Sequence, residues 1–357
     1  MEFTAILLRW YKNNYRDLPW KHTNDPYKIW LSEIILQQTR VEQGMPYYTR
    51  FVERFPTVQH LAAAPIDEVM KLWQGLGYYS RARNLHFASQ QIVKDYGGKM
   101  PHSYRELLKL KGVGAYTAAA IASFAFKEPV VALDGNGYRI FARFFGIEIP
   151  FDTATCKRQI TEEAQAYIPQ DAPDVFNQAL MDFGSMVCIP QKPSCAICPL
   201  HTTCIAYAKG LVRNLPIRSK KKAVRQRYFN YILIRNGSDT YVRKRTKKDI
   251  WRGLYEFPLI ETSEVMNPDD LFKTPEWNKL MNGTQPEIRA CLPTVKHQLS
   301  HQTIWTSFYL VNVPTSHAVD VTDGYFRIHT QQIDSYVFSQ LIERELSRKE
   351  VVLFFLS

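Results

Sequence analysis

Up to about residue 208, apolar residues recur at the three- to four-residue spacing of amphipathic helices. The clearest runs are Ile29–Leu36, Val58–Ala64, Val69–Leu72 and Ile160–Ala166, with Pro and Gly residues between them. Positions spaced in this way lie on one face of a helix, so each run predicts a helix that buries that face. Few segments in this half alternate apolar and polar residues as strands do.

The pattern changes beyond residue 227. Two strand-like runs, Tyr228–Arg235 and Thr240–Arg243, flank Asn236-Gly237-Ser238-Asp239, which predicts a β-hairpin. Thr303–Leu310 and Val351–Leu356 also predict strands. We therefore predict a multi-domain fold, with an all-α domain over residues 1–208, a linker over 209–227 and an α+β domain over 228–357.

Charge adds a candidate partner. The 357 residues include 45 Lys and Arg against 34 Asp and Glu, a net charge of +11. Such a balance favours a polyanion, although many basic proteins bind none. Residues 209–227 contain no acidic residue, and this basic linker either touches DNA phosphates or is a solvated tether. The first ten residues do not resemble a signal peptide, and no apolar run of about eighteen residues occurs, so we expect a cytoplasmic protein without a membrane partner.

Four of the six cysteines fall within one short stretch. Cys188, Cys195, Cys198 and Cys204 have the spacing C-x6-C-x2-C-x5-C, whereas Cys156 and Cys291 stand apart. Four thiolates in one compact loop can ligate zinc or hold a [4Fe–4S] cluster. The clustering suits a metal centre in a reducing compartment better than a disulfide framework.

A glycine-rich turn lies between a predicted helix over Ser103–Leu110 and an alanine-rich helix over Ala115–Phe126. Its Gly112 and Gly114 allow a tight turn whose backbone N–H groups can approach a phosphate, or the turn is only a connector between helices. Asp134 follows twenty residues after Gly114 and precedes Gly135-Asn136-Gly137. From position alone, Asp134 could be a plain helix N-cap.

Glu33 lies in the predicted helix Ile29–Leu36, with Trp30, Ile34 and Ile35 around it. A carboxyl group among such residues would be partly desolvated, which raises its pKa and suits a general acid. The alternative is a solvent-facing glutamate on the polar side of the helix.

Several longer strings are similar to the MutY family of adenine DNA glycosylases, within the helix–hairpin–helix superfamily that includes endonuclease III. They are Asp-Leu-Pro-Trp at 17–20, Trp-Leu-Ser-Glu-Ile-Ile-Leu-Gln-Gln-Thr at 30–39 and Gly-Leu-Gly-Tyr-Tyr-Ser-Arg-Ala-Arg-Asn-Leu at 75–85. The resemblance covers residues 3–208. It implies an all-α helix–hairpin–helix glycosylase domain with a [4Fe–4S] loop, in which the hairpin binds a DNA phosphate and the four cysteines hold the cluster in a structural role.

The resemblance also assigns the chemistry. Glu33 would protonate N7 of a flipped adenine and then deliver water, while Asp134 would stabilise the oxocarbenium-like sugar or capture it transiently. Tyr116 occupies the position at which relatives that also cut the DNA strand have a lysine. A phenol cannot form an imine with the sugar, so we expect an enzyme that releases the base without cutting the strand. Tyr116 and Asn136 would then orient the reacting groups. Other residues implied to contact the flipped adenine or the opposing base are Arg16, Trp20, Lys21, Gln178, Gln38, Thr39 and Tyr78.

The second half resembles the Nudix-like C-terminal domain of the same family through Trp251-Arg-Gly-Leu-Tyr-Glu-Phe-Pro258. A Nudix hydrolase needs an R-E-x-x-E-E box, which this chain lacks, so we expect a reader of 8-oxoguanine. The reading loop would contain Leu299, Ser300 and His301, with Leu299 an apolar wedge where many relatives have Phe. An ordinary polar hairpin is the alternative.

The expected substrate is therefore duplex DNA with adenine opposite 8-oxoguanine or guanine, bound by a monomer. Two other hypotheses compete with this one. The first is an endonuclease III-like glycosylase and lyase for damaged pyrimidines, against which Tyr116 and the second domain argue. The second is a non-catalytic iron–sulfur protein that binds DNA or carries electrons.

Overall fold

A computed structural model describes residues 2–219, 224–315 and 323–356. The chain forms two compact units, Met1–Ile66 with Arg81–Lys221, and Asp67–Ser80 with Lys222–Ser357. We refer to them as the helical unit and the sheet unit. The fold class is the predicted one: a helical first domain followed by a sheet-containing domain.

The helices have the following bounds: α1 Glu2–Asn14, α2 Pro26–Leu36, α3 Val41–Arg54, α4 Val58–Ala63, α5 Ile66–Trp73, α6 Ser80–Asp95, α7 Tyr104–Leu107, α8 Ala115–Phe126, α9 Gly135–Phe144, α10 Ala154–Gln165, α11 Pro173–Met186, α12 Ile205–Ala208, α13 Pro268–Leu271, α14 Pro275–Met281, α15 Gln340–Leu346 and α16 Lys349–Leu356. Among the described residues, short 3-10 helices lie at Pro19–Lys21, Cys195–Ile197 and Thr330–Ser335. No helix in the described residues combines the length and the apolar character that crossing a membrane requires.

The helical unit is held together by apolar faces of α1, α9, α10 and α11. Phe3 and Leu7 of α1 pack with Phe141 of α9 and Phe176 of α11, all of them buried. Burial of such large side chains stabilises the folded state by roughly 2 kcal/mol each. This core therefore fixes α9 and α11, two helices that carry candidate site residues.

The sheet unit contains one seven-stranded mixed sheet. Its main strand order is β3-β2-β1-β6-β5, with β4 paired to β1 and β7 paired to β2. The strands are β1 Arg225–Asn236, β2 Asp239–Lys244, β3 Tyr255–Glu256, β4 Leu259–Thr262, β5 Glu287–Gln298, β6 Gln302–Val313 and β7 Phe326–His329. Strands β1 and β6 run parallel from Arg225 opposite Gln302 to Asn236 opposite Val313.

Alternating residues of the sheet build two cores. Phe229, Tyr231 and Phe308 lie in the core that includes α15 and α16, whereas Ile232 and Tyr309 lie in the core of the opposite face, with α13 and α14. The predicted hairpin is confirmed, because Asn236 pairs with Asp239 and Gly237 adopts a φ of 64°.

Three predicted elements differ from the structure. Val351–Leu356 is part of helix α16 and not a strand: Val351 and Phe354, three residues apart, are buried, which is helical spacing. The predicted helix Ser103–Leu110 is only the four-residue α7. The predicted linker is partly structured, since Leu215 is buried in the helical unit and β1 begins at Arg225. Residues 220–223 of that linker lie outside the described residues.

The segment Asp67–Ser80, predicted as part of the first domain, belongs to the sheet unit. Lys71 Nζ donates to the carbonyl of Asp334 at 2.6 Å, and Lys244 Nζ lies 2.5 Å from a carboxylate oxygen of Asp67. These contacts join residues about 180 to 260 positions apart in the sequence, which local patterning does not reveal.

Candidate active site

Helix α2 brings Glu33 into the interior. Asp25 caps this helix by accepting a hydrogen bond from the backbone of Tyr27, and Pro26 begins it. The helix is buried on almost every side, and Glu33 is only 7% exposed. Burial raises the pKa of Glu33 to about 7; the hydrogen bond from Tyr116 opposes this increase and the negative charge of Asp134 adds to it. The predicted desolvation of Glu33 is confirmed.

The end of α2 is held by Arg81, which the sequence did not single out. Its Nη1 donates to the carbonyls of Ile34, Ile35 and Gln37 at 3.0, 2.8 and 2.6 Å. A guanidinium is well suited to this place because it has several donors and sits at the negative end of the helix. Arg81 therefore anchors the helix that carries Glu33.

Tyr116 contacts Glu33 from helix α8. Gly112 has a φ of 78°, and Gly114 is the N-cap of α8, so the glycine turn places Tyr116 in the first turn of that helix. The phenol donates to the carboxylate of Glu33 and also lies 3.7 Å from Met181 Sδ. Burial, together with the neighbouring Glu33 and Asp134, raises the pKa of Tyr116 far above its ordinary value, so the phenol stays a donor at neutral pH.

Asp134 is the N-cap of helix α9 and a neighbour of Glu33. Its Oδ1 accepts from the backbone N–H groups of Asn136 and Gly137 at 2.8 Å each, while Oδ2 accepts from Asn136 Nδ2 at 2.8 Å. Burial raises the pKa of Asp134, and these hydrogen bonds oppose that increase. Asp134 is therefore a helix N-cap, as its position in the sequence allowed. Capping fixes the orientation of its carboxylate and is compatible with a catalytic role.

Asn136 is itself held by Arg139, another residue that the sequence did not single out. Arg139 Nη2 donates to Asn136 Oδ1 at 2.8 Å and to the carbonyl of Gly184 at 2.6 Å, and Nε donates to the carbonyl of Cys188 at 2.7 Å. A Cβ on Gly184 would lie 2.5 Å from Cβ of Asn136, so only glycine fits there. Arg139 thus connects the candidate carboxylates with the start of the cysteine loop.

The residues implied for the adenine pocket lie around α1, the first 3-10 helix and α11. Trp20 is buried against Tyr48, with ring centroids 5.4 Å apart. Lys21 Nζ lies 2.6 Å from Asp182 Oδ2, an oxygen that also accepts from the backbone N–H of Arg16 at 2.9 Å. Gln178 Oε1 accepts from the hydroxyl of Tyr11 at 2.9 Å. Asp182 and Tyr11 were absent from the predicted site.

Two of the residues implied to contact the opposing base have an unusual backbone. Gln38 and Tyr78 have φ values of 56° and 47°, and both side chains are exposed. Non-glycine residues in this left-handed region cost free energy and are concentrated at functional sites. Thr39, beside Gln38, accepts a hydrogen bond from Arg81 Nη2 at 3.3 Å.

The four clustered cysteines line one cavity of the helical unit, together with Arg143. Arg143 donates to the carbonyls of Ile189, Pro190 and Leu215 at 2.8, 3.0 and 2.9 Å, and its Nη1 lies 3.4 Å from Cys188 Sγ. Burial, to which the other three thiols add, raises the pKa of Cys198 to about 11. Among the described residues, no three His, Cys, Asp or Glu side chains are grouped in a way that would hold a single metal ion.

The implied reading loop is the tight turn between β5 and β6. The backbone N–H of Leu299 donates to the carbonyl of Gln302 at 2.8 Å, and Thr303 Oγ1 donates to Gln298 Oε1 at 2.8 Å. Ser300 and His301 are exposed at the tip, with Ser300 Oγ 3.3 Å from His301 Nδ1. Leu299 differs from them because it is half-buried and packs against the core of the sheet unit.

A buried carboxyl group beside a second one, next to a glycine turn that opens a helix, is the arrangement expected of a base-excising DNA glycosylase of the helix–hairpin–helix class. The comparisons agree. Residues 31–169 match the model of the HhH-GPD superfamily of base excision DNA repair proteins, and residues 230–348 match a NUDIX domain. A thermostable thymine-DNA glycosylase superposes with a TM-score of 0.55 at 31% identity, covering 58% of this chain and 96% of that one. An endonuclease III–DNA complex gives a TM-score of 0.51 at 23% identity, covering 59% of this chain and 95% of that one, which supports the fold alone.

The family follows from a relative that matches most of the chain. The adenine DNA glycosylase of Buchnera aphidicola from Schizaphis graminum is 34% identical over 312 residues, 87% of this chain and 88% of that protein. The mouse adenine DNA glycosylase is 40% identical over 228 residues, 60% of this chain and 44% of that protein. The chain belongs to the adenine DNA glycosylase family, and it is an adenine-specific DNA N-glycosylase of base excision repair.

Proposed function

We propose that this enzyme releases adenine that is paired with 8-oxoguanine or guanine in duplex DNA, using Glu33 and Asp134, and that Cys188, Cys195, Cys198 and Cys204 hold a [4Fe–4S] cluster. The observation that carries the chemical part is the buried Glu33, whose pKa of about 7 leaves much of it protonated at neutral pH beside the carboxylate of Asp134. A protonated acid beside a second carboxyl group, whose oxygens accept three hydrogen bonds, is the pair of groups that cleavage of a glycosidic bond requires.

The order of events follows from the positions of these groups. Adenine must leave the base stack before its glycosidic bond is accessible. Glu33 then gives its proton to N7, which turns adenine into a neutral leaving group. The positive charge that develops on the sugar is stabilised by Asp134, and Glu33, now a carboxylate, takes a proton from the attacking water.

Tyr116 and Asn136 act on the two carboxyl groups. The phenol donates to Glu33, and the amide of Asn136 donates to Asp134 Oδ2. Neither group is an amine, so neither can form a Schiff base with the sugar. We therefore propose that release of adenine is not accompanied by cleavage of the DNA strand.

Binding to DNA is proposed to use the positive end of α8, the exposed residues Gln38 and Tyr78, and the half-buried Thr39. The first N–H groups of a helix attract phosphate, and α8 begins directly after the Gly112–Gly114 turn. An excess of basic residues over the whole chain supports the same partner. We propose that the enzyme acts as a monomer in the cytoplasm.

The sheet unit is proposed to read the base opposite adenine through Ser300 and His301. Both are exposed at the tip of a short turn that backbone and side-chain hydrogen bonds hold in place. A hydroxyl can donate to O8 and accept from N7–H, the two groups that 8-oxoguanine has and guanine lacks. The predicted wedge role of Leu299 stays a prediction, since its half-buried side chain is packed against the core of its own unit.

Ser300→Ala should reduce the preference for adenine opposite 8-oxoguanine over adenine opposite guanine by about three- to tenfold, the worth of one or two hydrogen bonds. The measurement is the ratio of single-turnover excision rates on the two duplexes. Ser263→Ala, at an exposed position after β4, is the matched control and should keep the wild-type ratio. An unchanged ratio in Ser300→Ala would overturn the proposed reading role.

The cysteine loop suits a [4Fe–4S] cluster. All four thiols line one cavity of the helical unit, and four thiolates are the ligand set of such a cluster. A tetrahedral zinc site needs its sulfur atoms within about 2.3 Å of one centre, whereas an iron–sulfur core spreads four ligands over several atoms. Such a core, when bound, would crosslink the loop, and no step of base release needs its electrons.

The purified protein should contain about four iron and four sulfide per chain and absorb visible light, because four thiolates are the ligand set of a [4Fe–4S] cluster. Cys198→Ser should lose most of the iron, since Cys198 is one of the four residues lining the cavity. Cys291→Ser, which changes an exposed cysteine of the sheet unit, should keep it. One zinc per chain without iron, or full iron content in Cys198→Ser, would contradict the proposal.

A further inference from the structure

A chain of polar contacts leads from Asp182 to Gln178 through Lys21 and Tyr11. Asp182 Oδ2 lies 2.6 Å from Lys21 Nζ, Lys21 Nζ lies 3.4 Å from Tyr11 Oη, and Tyr11 Oη lies 2.9 Å from Gln178 Oε1. The side chains of Lys21 and Asp182 are 11% and 4% exposed, and Tyr11 is 9% exposed. These distances and this burial make the four side chains one connected group.

The direction of each hydrogen bond follows from the donors that are present. An ammonium group has no acceptor, so Lys21 donates to Asp182 and to the oxygen of Tyr11. The tyrosine hydroxyl, with one lone pair used, directs its proton to Gln178 Oε1. Burial and the nearby Asp182 raise the pKa of Tyr11, so its proton is retained at neutral pH.

This order determines which end of the Gln178 amide remains available. The oxygen is engaged by Tyr11, and within the described part of the chain Nε2 donates to no protein acceptor. Gln178 lies three residues before Met181 on α11, and Met181 contacts Tyr116, the partner of Glu33. Residues three apart share a helix face, so Gln178 and Met181 extend from the same side of α11, the side on which Met181 contacts Tyr116.

We infer that Tyr11 and Asp182 are positioning residues of the adenine pocket, which hold the Gln178 amide with its NH2 group towards the base, where it donates to a ring nitrogen of adenine. The inference rests on the proposed release of adenine and on the placement of Gln178 in the adenine pocket, which the family resemblance implies. Asp182 has a second effect: its carboxylate offsets the charge of Lys21, which would otherwise oppose protonation of a nearby adenine.

The alternative is that Tyr11 only fills space, since its ring lies in the core of the helical unit. Tyr11→Phe separates the two roles because it keeps the ring and removes only the hydroxyl. Without that proton the amide of Gln178 is free to rotate and to present its oxygen, an acceptor, to a ring nitrogen that also accepts. A loss of one oriented hydrogen bond corresponds to about a tenfold lower rate.

The experiment is a double-mutant cycle on adenine excision under single-turnover conditions. Tyr11→Phe should excise about tenfold more slowly than the wild type, with an unchanged Tm and unchanged binding to a duplex containing the abasic product. Tyr11→Phe/Gln178→Ala should be no slower than Gln178→Ala alone, because Tyr11 acts through Gln178. Asp182→Asn should also excise more slowly, whereas Tyr15→Phe, an exposed tyrosine whose ring centroid lies 6.3 Å from that of Tyr11, should match the wild type.

The outcomes are distinguishable. A wild-type rate in Gln178→Ala would remove Gln178 from the pocket and overturn the proposed pocket together with this inference. A slow Gln178→Ala beside a wild-type rate in Tyr11→Phe would overturn the positioning role and leave the pocket intact. Independent, multiplying effects of the two substitutions would show that Tyr11 does not act through Gln178 and would also overturn it.

Discussion

Glu33→Gln should lower the single-turnover rate of adenine release by about 10³-fold, or about 4 kcal/mol of activation free energy. The glutamine side chain has nearly the same shape, but it can neither give a proton to N7 nor take one from water. Tight binding to mispaired DNA should remain, because the substitution leaves the phosphate-binding turn and the opposing-base residues untouched. The rate of free adenine release and the Kd for the mispaired duplex are the two measurements.

The matched control for this variant is Glu53→Gln, an exposed glutamate of α3, which should excise at the wild-type rate. Removing a buried acid whose pKa is raised should not destabilise the fold at neutral pH, so the Tm of Glu33→Gln should stay near that of the wild type. Normal excision by Glu33→Gln would end the assignment of Glu33 as the proton donor.

Asp134→Asn should lower the excision rate by about 10²- to 10³-fold, since it removes the charge that stabilises the sugar cation. In the wild type, Asn136 Nδ2 donates to Asp134 Oδ2. In the variant, the NH2 group of the new asparagine would replace that oxygen and face Asn136 Nδ2, so two donors would face each other. The amide of Asn136 cannot simply turn over to relieve this clash, because its oxygen is held by Arg139. Single-turnover excision, with the Tm as a measure of folding, is the test.

Asp25→Asn provides the comparison for that variant. Asp25 is likewise an N-cap, on α2, and asparagine is as good a cap as aspartate. A wild-type rate in Asp25→Asn with a slow Asp134→Asn would separate the loss of charge from the loss of a cap. Equal, small effects in both variants would mean that Asp134 serves only as a cap.

The candidate site could be predicted from the sequence best at the two carboxyl groups, Asp134 and Glu33. Asp134 before Gly135-Asn136-Gly137 left a helix N-cap open as the alternative to a catalytic role, and the structure shows that cap together with a hydrogen bond from Asn136 Nδ2 to Oδ2. The apolar residues around Glu33 left a desolvated and a solvent-facing carboxyl group both open, and the resemblance to the glycosylase family favoured the first. Glu33 is buried because α2 is enclosed on almost all sides rather than on one face. Periodicity alone would have favoured an exposed glutamate.

Residues that act through distant partners could not be found in this way. Arg139 binds backbone carbonyls of Gly184 and Cys188, which lie more than forty positions further along the chain. Asp182 meets Lys21 across 161 positions, and Tyr11 meets Gln178 across 167. Every residue has a backbone carbonyl, so the sequence does not show which carbonyls accept hydrogen bonds from Arg139. A single Tyr or Asp in a helix is usually explained by packing or by exposure to solvent, so Tyr11 and Asp182 did not stand out.

The strand predicted at Val351–Leu356 failed for a different physical reason. Six apolar residues in a row fit a buried strand and a helix equally well, because no polar position marks a period. The structure resolves this by packing: Val351 and Phe354 face the core, while Leu353 and Leu356 are exposed. Only the neighbouring strands and helices, which the sequence pattern does not place, decide between the two.

The most direct test of the account is single-turnover base release from three matched duplexes, with adenine opposite 8-oxoguanine, guanine or thymine. Free adenine should be released fastest opposite 8-oxoguanine, more slowly opposite guanine and hardly at all opposite thymine. The strand should break only after treatment with alkali, and borohydride should trap no covalent adduct. Equal release from all three duplexes, or a borohydride-trapped adduct with wild-type protein, would contradict it.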